Sequence, residues 1–277
     1  MLYKNFLKKN LIFFLKFFSH IIIKLFTIIK LQFILEVFFI ELNNRKKIIK
    51  NKNNTFIFDI KNNLLRYRVD TFFTKEPLTI NWINKFDENS IFWDIGANIG
   101  LYSIYASKTK NAKSIAFEPS VYNLDTLVNN VINNKLNDQI SVVPFWIKED
   151  NSKVSITYND NIAGSANLGE IQHSPINKII SYGLSLDYLQ KLYALDFPNY
   201  IKIDVDGAEI FILKGAQNVI NNAKEILIEV DQNNDNNKKI ENFLINNNFK
   251  KLVEEKSQLN SLELNTPVNQ LWKKNES

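Results

Sequence analysis

The sequence has no cysteine and only two histidines among its 277 residues. Without cysteine there are no disulfides, cysteine nucleophiles or cysteine-rich zinc sites. Acid–base or metal chemistry must therefore depend mainly on carboxylates, lysines and tyrosines, and we expect His173 to be a loop residue rather than a catalyst. A lack of disulfides is typical of proteins in a reducing compartment, so we expect a cytoplasmic protein.

The net positive charge of the chain is confined to its first 50 residues. The whole chain has a net charge of +5, but residues 1–50 alone carry ten Lys and Arg against only Glu36 and Glu41. That segment therefore has a net charge of +8, which leaves −3 for the rest of the chain. A mildly acidic body matches a polyphosphate poorly, so we expect no nucleic-acid partner.

Residues 6–42 are crowded with Phe, Ile and Leu. In a helix with about 100° per residue, the polar side chains of its first part fall within roughly 40° of one direction. These side chains are Lys9, Lys16, His20, Thr27 and Lys30, and Lys24 lies at the edge of the same stripe. Lysines interrupt every window, so we expect no bilayer-spanning run of about 18 uncharged apolar residues.

We expect residues 1–50 to form a helical extension and linker. Two roles fit this pattern. In the first, residues 6–42 make a peripheral contact with an anionic membrane, at its cytoplasmic face. In the second, one or two helices cover the rest of the protein or form an oligomer contact.

The body of the chain, residues 51–277, alternates short apolar strands with amphipathic helices. This pattern predicts a parallel sheet with crossover helices. The predicted strands are 90–94, 113–118, 140–144, 200–204 and 225–229, with a final pair at 249–254 and 269–273. The predicted helices are 99–108, 120–134, 207–221 and 236–247.

Two segments depart from the alternation. In the lead-in, residues 43–54 predict a linker, 55–60 and 64–69 predict short strands, and 76–83 predicts a helix with proline in its first turn. Residues 151–198 predict a small hairpin at 154–158 and a short helix at 185–193. Within that second segment, we expect Gly164 and Ser165 to belong to a lid over a binding site.

Acids follow or end four of the predicted parallel strands: Asp94, Glu118, Asp204 and Glu229. In open α/β sheets the ligand binds beyond the carboxyl ends of the strands, so these acids are gathered on one rim. A single acid in this position often caps the next helix. Four together indicate a binding site.

The first strand–helix turn contains the sequence Asp94-Ile-Gly-Ala-Asn-Ile-Gly100. Gly96 lets the backbone approach a ligand closely, and Gly100 allows the helix to pack tightly on the sheet. Glu118 lies 18 residues after Gly100, near the spacing at which an acid accepts hydrogen bonds from a ribose. The order of strand, turn, helix, strand and acid predicts a nucleoside site.

Asp94 bears on which nucleoside binds. Dinucleotide folds usually carry a third glycine and direct the helix end at a pyrophosphate, which a carboxylate would repel. The ammonium group of an amino acid suits a carboxylate instead. The turn therefore favours S-adenosylmethionine over NAD.

Several segments together resemble the FkbM family of methyltransferases. They are Trp93 to Ser103, Phe117-Glu-Pro, Leu184 to Leu189, Ile201 to Ile210 and Leu213-Lys-Gly-Ala. The resemblance spans roughly residues 70–265. It implies a Rossmann-like class I methyltransferase fold, with a seven-stranded mixed sheet, helices on both faces and an antiparallel last strand. It also implies O-methylation of a hydroxyl of a saccharide, glycan or related small molecule, with S-adenosylmethionine as cofactor.

The resemblance implies roles for individual residues. The methionine portion of the cofactor would contact Asp94, Gly96, Asn98 and Gly100, Glu118 would bind the ribose, and Trp146 or Ile147 would flank the adenine. Asp204 would face the methyl group and the acceptor as general base, with Lys202, Asp206 and Glu209 nearby.

Other interpretations of these residues stay open. Asp206 and Glu209 are also suited to stabilise the start of a helix. A divalent cation held by Asp204, Asp206 and Glu229 is a second possibility, which we do not favour. The alternatives for the whole protein are a nucleotide-sugar or NAD-binding Rossmann enzyme, or a non-catalytic membrane-associated module.

Overall fold

The computed structural model describes residues 2–158, 163, 168–169, 178–205, 207–231, 236–256 and 267–275. The chain divides into two compact units, Met1–Lys46 and Lys47–Ser277. Asp206, Gly164, Ser165 and His173 lie outside the described residues, so the lid prediction and the predictions for Asp206 and His173 have no structural counterpart.

The first unit consists of two helices, α1 (Leu2–Ile28) and α2 (Gln32–Asn43). Within α1, Asn10–Ile28 has a mean hydropathy of 2.0 and is long and apolar enough to cross a membrane by length and composition. This differs from the expectation that lysines would exclude such a helix. Only Lys16 and Lys24 fall in the stretch, and its Phe, Ile and Leu residues outweigh them.

The second unit begins with β1 (Lys46–Asn51) and β2 (Asn54–Asp59), which form a two-stranded sheet. The predicted linker therefore contains a strand. Residues 64–69, predicted as a strand, lie instead in the helix α3 (Asn63–Asp70), which the carboxamide of Asn62 caps by accepting the Leu65 N–H at 2.8 Å. The predicted helix at 76–83 is confirmed as α4 (Pro77–Ile83).

A seven-stranded sheet forms the centre of this unit. In chain order its strands are β3 (Ile91–Ile95), β4 (Lys113–Phe117), β5 (Ile140–Val143), β10 (Tyr200–Ile203), β11 (Glu225–Val230), β12 (Phe249–Lys256) and β13 (Val268–Lys274). In space they follow the order β12-β13-β11-β10-β3-β4-β5. The first five in chain order run parallel, and β13 pairs antiparallel with both β11 and β12. This is the class I methyltransferase sheet that the resemblance implied.

Helices cover both faces of the sheet. They are α5 (Leu101–Lys110), α6 (Val121–Asn133), α7 (Leu186–Tyr193), α8 (Glu209–Lys214), α9 (Gln217–Asn222) and α10 (Asn236–Asn246). Successive strand side chains point to opposite faces, so Phe92 and Trp93 enter two different buried clusters, as do Ala116 and Phe117. The predicted helix at 207–221 is divided into α8 and α9, which meet at Gly215 and Ala216.

A smaller sheet lies between β5 and β10 along the chain. It contains β6 (Trp146–Ile147), β7 (Ser152–Tyr158), β8 (Leu168–Gly169) and β9 (Lys178–Leu184), in the spatial order β6-β9-β7-β8. Residues 154–158, predicted as a small hairpin, lie in the single strand β7, which pairs antiparallel with both β8 and β9.

Candidate active site

A cavity of about 760 Å³ lies at the carboxyl ends of β3, β4 and β10. Its size is within the range of about 300–1,000 Å³ that is usual for small-molecule sites. Three further segments complete its wall: residues 68–76 of the lead-in, residues 145–150 around β6, and residues 154–156 of β7. The cavity therefore lies where open α/β sheets bind their ligands.

The turn after β3 forms one wall of the cavity. The N–H groups of Gly96 and Ala97 both donate to the Phe117 carbonyl, at 3.0 Å each, which ties this turn to the end of β4. Gly96 has a φ of +83°, and a Cβ added there would lie 1.9 Å from the Asp204 carbonyl oxygen. Only glycine fits this position, because it allows the ends of β3 and β10 to approach so closely.

Glu118 is anchored by the backbone around it. Its Oε2 accepts the Asn98 N–H at 2.8 Å, and its Oε1 accepts the Ser120 N–H at 2.8 Å and the Asn123 side chain at 3.3 Å. Burial raises the pKa of Glu118 to about 7, despite these hydrogen bonds, which favour the charged form. The carboxyl group lines the cavity in a fixed orientation.

Asp94 lies behind this wall and is not among the cavity-lining residues. Its Oδ2 accepts the Ser103 hydroxyl at 2.6 Å, whereas its Oδ1 has no hydrogen-bond partner among the described residues. Burial raises the pKa of Asp94, and the charge of Lys202, its partner in the β3–β10 register, opposes that shift.

A buried charge cluster forms the floor of the cavity. The Lys202 ammonium is only 2% exposed and lies 2.5 Å from Asp204 Oδ2, 4.0 Å from Glu76 Oε2 and 4.8 Å from the centre of the Tyr102 ring. Burial alone would raise the pKa of Asp204, but the charge and hydrogen bond of Lys202 outweigh it and hold that pKa below its usual value. Asp204 is thereby kept ionised.

Glu229 on β11 joins the same cluster. Burial and the neighbouring Asp204 carboxylate raise the pKa of Glu229 well above its usual value. Carboxylate oxygens of Glu76, Asp204 and Glu229 all lie within 4.8 Å of one another, a spacing that could hold a metal ion. The Lys202 ammonium already supplies positive charge to two of the three, and the Lys75 ammonium lies 3.2 Å from Glu76 Oε1, so lysines of the protein itself offset part of the negative charge.

The structure brings together six of the nine predicted site residues at the cavity: Gly96, Asn98, Glu118, Trp146, Lys202 and Asp204. It places Asp94, Gly100 and Glu209 behind the lining. A Cβ at Gly100 would lie 2.3 Å from Leu127 Cδ1 of α6, as expected for a packing glycine. Glu209 accepts the Gly207 N–H at 2.8 Å, which is the helix-start role that the sequence left open.

Cavity residues in the lead-in segment were not anticipated from the sequence. Arg68, Lys75 and Glu76 line the cavity, and so does Tyr102 of α5. The sequence pattern of residues 64–69 predicts a strand in a lead-in outside the binding site, whereas the structure has a helix that borders the cavity. Asn62, a favoured cap residue just before that stretch, was the available signal for a helix.

Residues 94–251 match the family model of the methyltransferase FkbM domain, which is more than half of the chain. The chain belongs to the FkbM methyltransferase family. It is 25% identical over 144 residues to the hexuronic acid methyltransferase AglP of Haloferax volcanii, covering 52% of this chain and 57% of that protein. It is 26% identical over 156 residues to the methyltransferase sdnD of Sordaria araneosa, covering 46% of this chain and 60% of that protein. The chain thus spans less than two thirds of the length of either relative.

Solved structures with a similar fold have low sequence identity. The M. jannaschii tRNA m1G37 methyltransferase is 15% identical with a TM-score of 0.47, over 84% of this chain and 58% of that chain. M. capricolum TrmK, solved with S-adenosyl-homocysteine, is 16% identical with a TM-score of 0.45, over 71% of this chain and 68% of that chain.

Proposed function

We propose that this FkbM-family protein is an S-adenosylmethionine-dependent O-methyltransferase that acts on a hydroxyl of a saccharide, glycan or related small molecule. We assign this activity to residues 51–277. The observation that carries the proposal is a single cavity with the fixed Glu118 carboxyl group and the ionised Asp204 carboxylate both in its lining. The Glu118 carboxyl group suits the ribose of a nucleoside, and the Asp204 carboxylate suits the hydroxyl of an acceptor.

The cavity fits this cofactor. Glu118 would accept hydrogen bonds from the ribose hydroxyls, and the turn at Gly96 and Asn98 would contact the methionine portion. Trp146 lines the cavity beside Phe145 and would flank the adenine. Behind the turn, the negative charge of Asp94 and its unpartnered Oδ1 favour the methionine ammonium electrostatically.

The charge cluster suits methyl transfer to oxygen. When bound, S-adenosylmethionine would supply a methyl group on a positively charged sulfur. An aligned hydroxyl oxygen would take that methyl group, and the sulfur would leave as neutral S-adenosylhomocysteine. Asp204 orients that hydroxyl by accepting its hydrogen bond, and positioning of this kind supplies much of the rate. Lys202 lowers the proton affinity of Asp204. The hydroxyl proton of the acceptor therefore passes to Asp204 late, when the newly methylated oxygen has become strongly acidic.

Both relatives are named methyltransferases, and the name of the Haloferax protein specifies a hexuronic acid. That name supports a sugar acceptor for this chain as well. The cavity wall adds polar and charged groups that would hold a hydroxylated acceptor, such as Lys75, Glu149 and Asp150.

Calorimetric titration of the full chain tests the cofactor. We expect S-adenosylmethionine and S-adenosylhomocysteine to bind and NAD and nucleotide sugars not to bind. Binding of NAD or a nucleotide sugar alone would replace this proposal with the dinucleotide or nucleotide-sugar alternative.

A variant of the proposed base tests catalysis. We expect Asp204→Asn to lower methyl transfer to extracted glycans about 100-fold or more while the cofactor Kd changes little. The matched control is Asp138→Asn, on an exposed loop. Mass spectrometry of the product measures the transferred methyl group. Equal product from wild-type protein and Asp204→Asn would remove Asp204 from the mechanism, and no product from wild-type protein would favour a non-catalytic module.

A further inference from the structure

The helices α1 and α2 expose many large apolar side chains. Between residues 11 and 42, the exposed large hydrophobic side chains have exposed fractions from 37% to 77%. Only Phe26 and Leu35 are partly buried in that stretch. Contiguous exposed apolar area of this extent marks an interaction surface in a folded protein.

Helix α1 also carries a polar stripe. Lys16, His20, Lys24 and Thr27 follow one another at helical spacing along α1 and share one side of it. Phe14, Phe18 and Leu25 lie on the opposite side at the same spacing. With residues 1–50 at a net charge of +8, the stripe is complementary to an anionic surface.

We propose that α1 and α2 bind the surface of an anionic bilayer, with α1 in the membrane plane, its lysines among the lipid headgroups and its aromatic side chains in the acyl boundary. Helices with a basic polar face and Phe or Leu on the other bind membranes in this way. Anionic lipids are concentrated in the cytoplasmic leaflet, so the protein would work at the inner face of a membrane.

A spanning orientation fits the charges less well. Asn10–Ile28 has its middle at residue 19, which puts Lys16 about 4.5 Å from the bilayer midplane at about 1.5 Å per residue. A lysine at that depth is strongly unfavourable. Lying flat brings Lys16 and Lys24 to the headgroups together and keeps the opposite side in the acyl boundary.

Flotation of the full chain with vesicles tests the surface. We expect binding to phosphatidylcholine vesicles with 30% phosphatidylglycerol and much weaker binding to phosphatidylcholine alone. Replacing both Lys16 and Lys24 by glutamine should weaken binding about 25-fold, since each basic residue near the surface contributes about fivefold. The control Lys113→Gln/Lys250→Gln removes two exposed lysines of the second unit and should bind like the wild type.

The apolar side has its own variants. Phe14→Ser/Phe18→Ser should abolish flotation, whereas Val121→Ser/Ile132→Ser, at exposed positions of α6, should not. Absence of flotation by the wild-type chain would overturn the proposal. So would equal loss in the control variants. Self-association of the chain through α1 and α2 in the absence of any vesicle binding would assign the surface to a second copy instead.

Spin-label depth measurements separate a flat helix from a spanning one. The chain has no cysteine, so a single cysteine can be introduced at each position of α1 and labelled uniquely. A flat helix gives a depth that oscillates every 3–4 residues, shallow at Lys16 and Lys24 and deep at Phe14 and Phe18. A single depth maximum near Ser19 would show a spanning helix and overturn the proposed orientation.

Discussion

Replacing Glu118 by glutamine removes a buried acid whose pKa lies far from that of an exposed glutamate. Burial raises the pKa of Glu118 to about 7 from an ordinary value of 4.5. Below the lower value the group is protonated in both the folded and the unfolded protein. As the pH rises above it, the unfolded chain ionises first, so the free energy of unfolding falls until the folded pKa is passed.

The size of this effect follows from the two pKa values. The pKa of Glu118 is 4.5 in the unfolded chain and about 7 in the folded protein. At about 1.4 kcal/mol per pH unit, this difference lowers the free energy of unfolding by about 3 kcal/mol between a pH well below 4.5 and a pH well above 7. Between pH 5 and pH 8 the wild type should lose about 2.5 kcal/mol that Glu118→Gln does not lose. Any hydrogen bond lost in the variant shifts its stability equally at every pH and does not affect this difference.

Urea unfolding followed by tryptophan fluorescence at pH 5, 6, 7 and 8 measures the effect. Trp82, Trp93 and Trp272 are buried, so their emission reports loss of the core. Relative to the wild type, Glu118→Gln should gain stability steadily up to about pH 7 and then level off. Asp138→Asn, at an exposed position, should show no such trend. A difference between Glu118→Gln and wild type that is constant across the four pH values would refute the reasoning.

Three further outcomes can be measured. Gly96→Ala should destabilise the protein in urea unfolding by more than the cost of about 1–2 kcal/mol expected of a positive φ, because its Cβ meets the Asp204 carbonyl; Gly207→Ala, also at positive φ but with nothing within 4 Å, should show the φ cost alone. Lys202→Met should destabilise by about 3–5 kcal/mol, since buried acids lose their counter-charge, and adding Glu76→Gln should restore part of that loss. In calorimetry, S-adenosylmethionine affinity should fall about tenfold per pH unit below pH 7 and become insensitive to pH in Glu118→Gln.

The positions of the strand-end acids could be predicted from the sequence because they depend only on the local succession of strand and turn. A parallel strand followed by a turn brings its last residues to one rim, so Glu118 and Asp204 were located without knowledge of the strand order. Their hydrogen-bond and charge partners required tertiary structure. The pairing of Lys202 with Glu76 joins residues more than a hundred positions apart, and no local pattern indicates it.

Boundaries of the lead-in were harder to predict for a related reason. Residues 64–69 alternate apolar and basic side chains as a strand does, but in α3 the side chains of Leu65 and Val69 are buried on one face of a helix, four residues apart. A six-residue segment cannot distinguish the two-residue repeat of a strand from the roughly 3.6-residue repeat of a helix. Here the side chains that are buried in the folded protein follow the helical repeat. Arg68 reaches the cavity only because this segment is helical.

Among the described residues, the small sheet of β6 to β9 shares no strand pairing with the seven-stranded sheet, yet residues 145–150 and 154–156 of this region line the cavity. The two glycine-dependent contacts that hold the turn after β3 involve Asp204 and Leu127, which belong to the central layers. Neither contact involves a residue of the small sheet. Exchange of residues 148–184 between related chains, which leaves Phe145, Trp146 and Ile147 in place, would test under the proposed function whether this region sets acceptor preference.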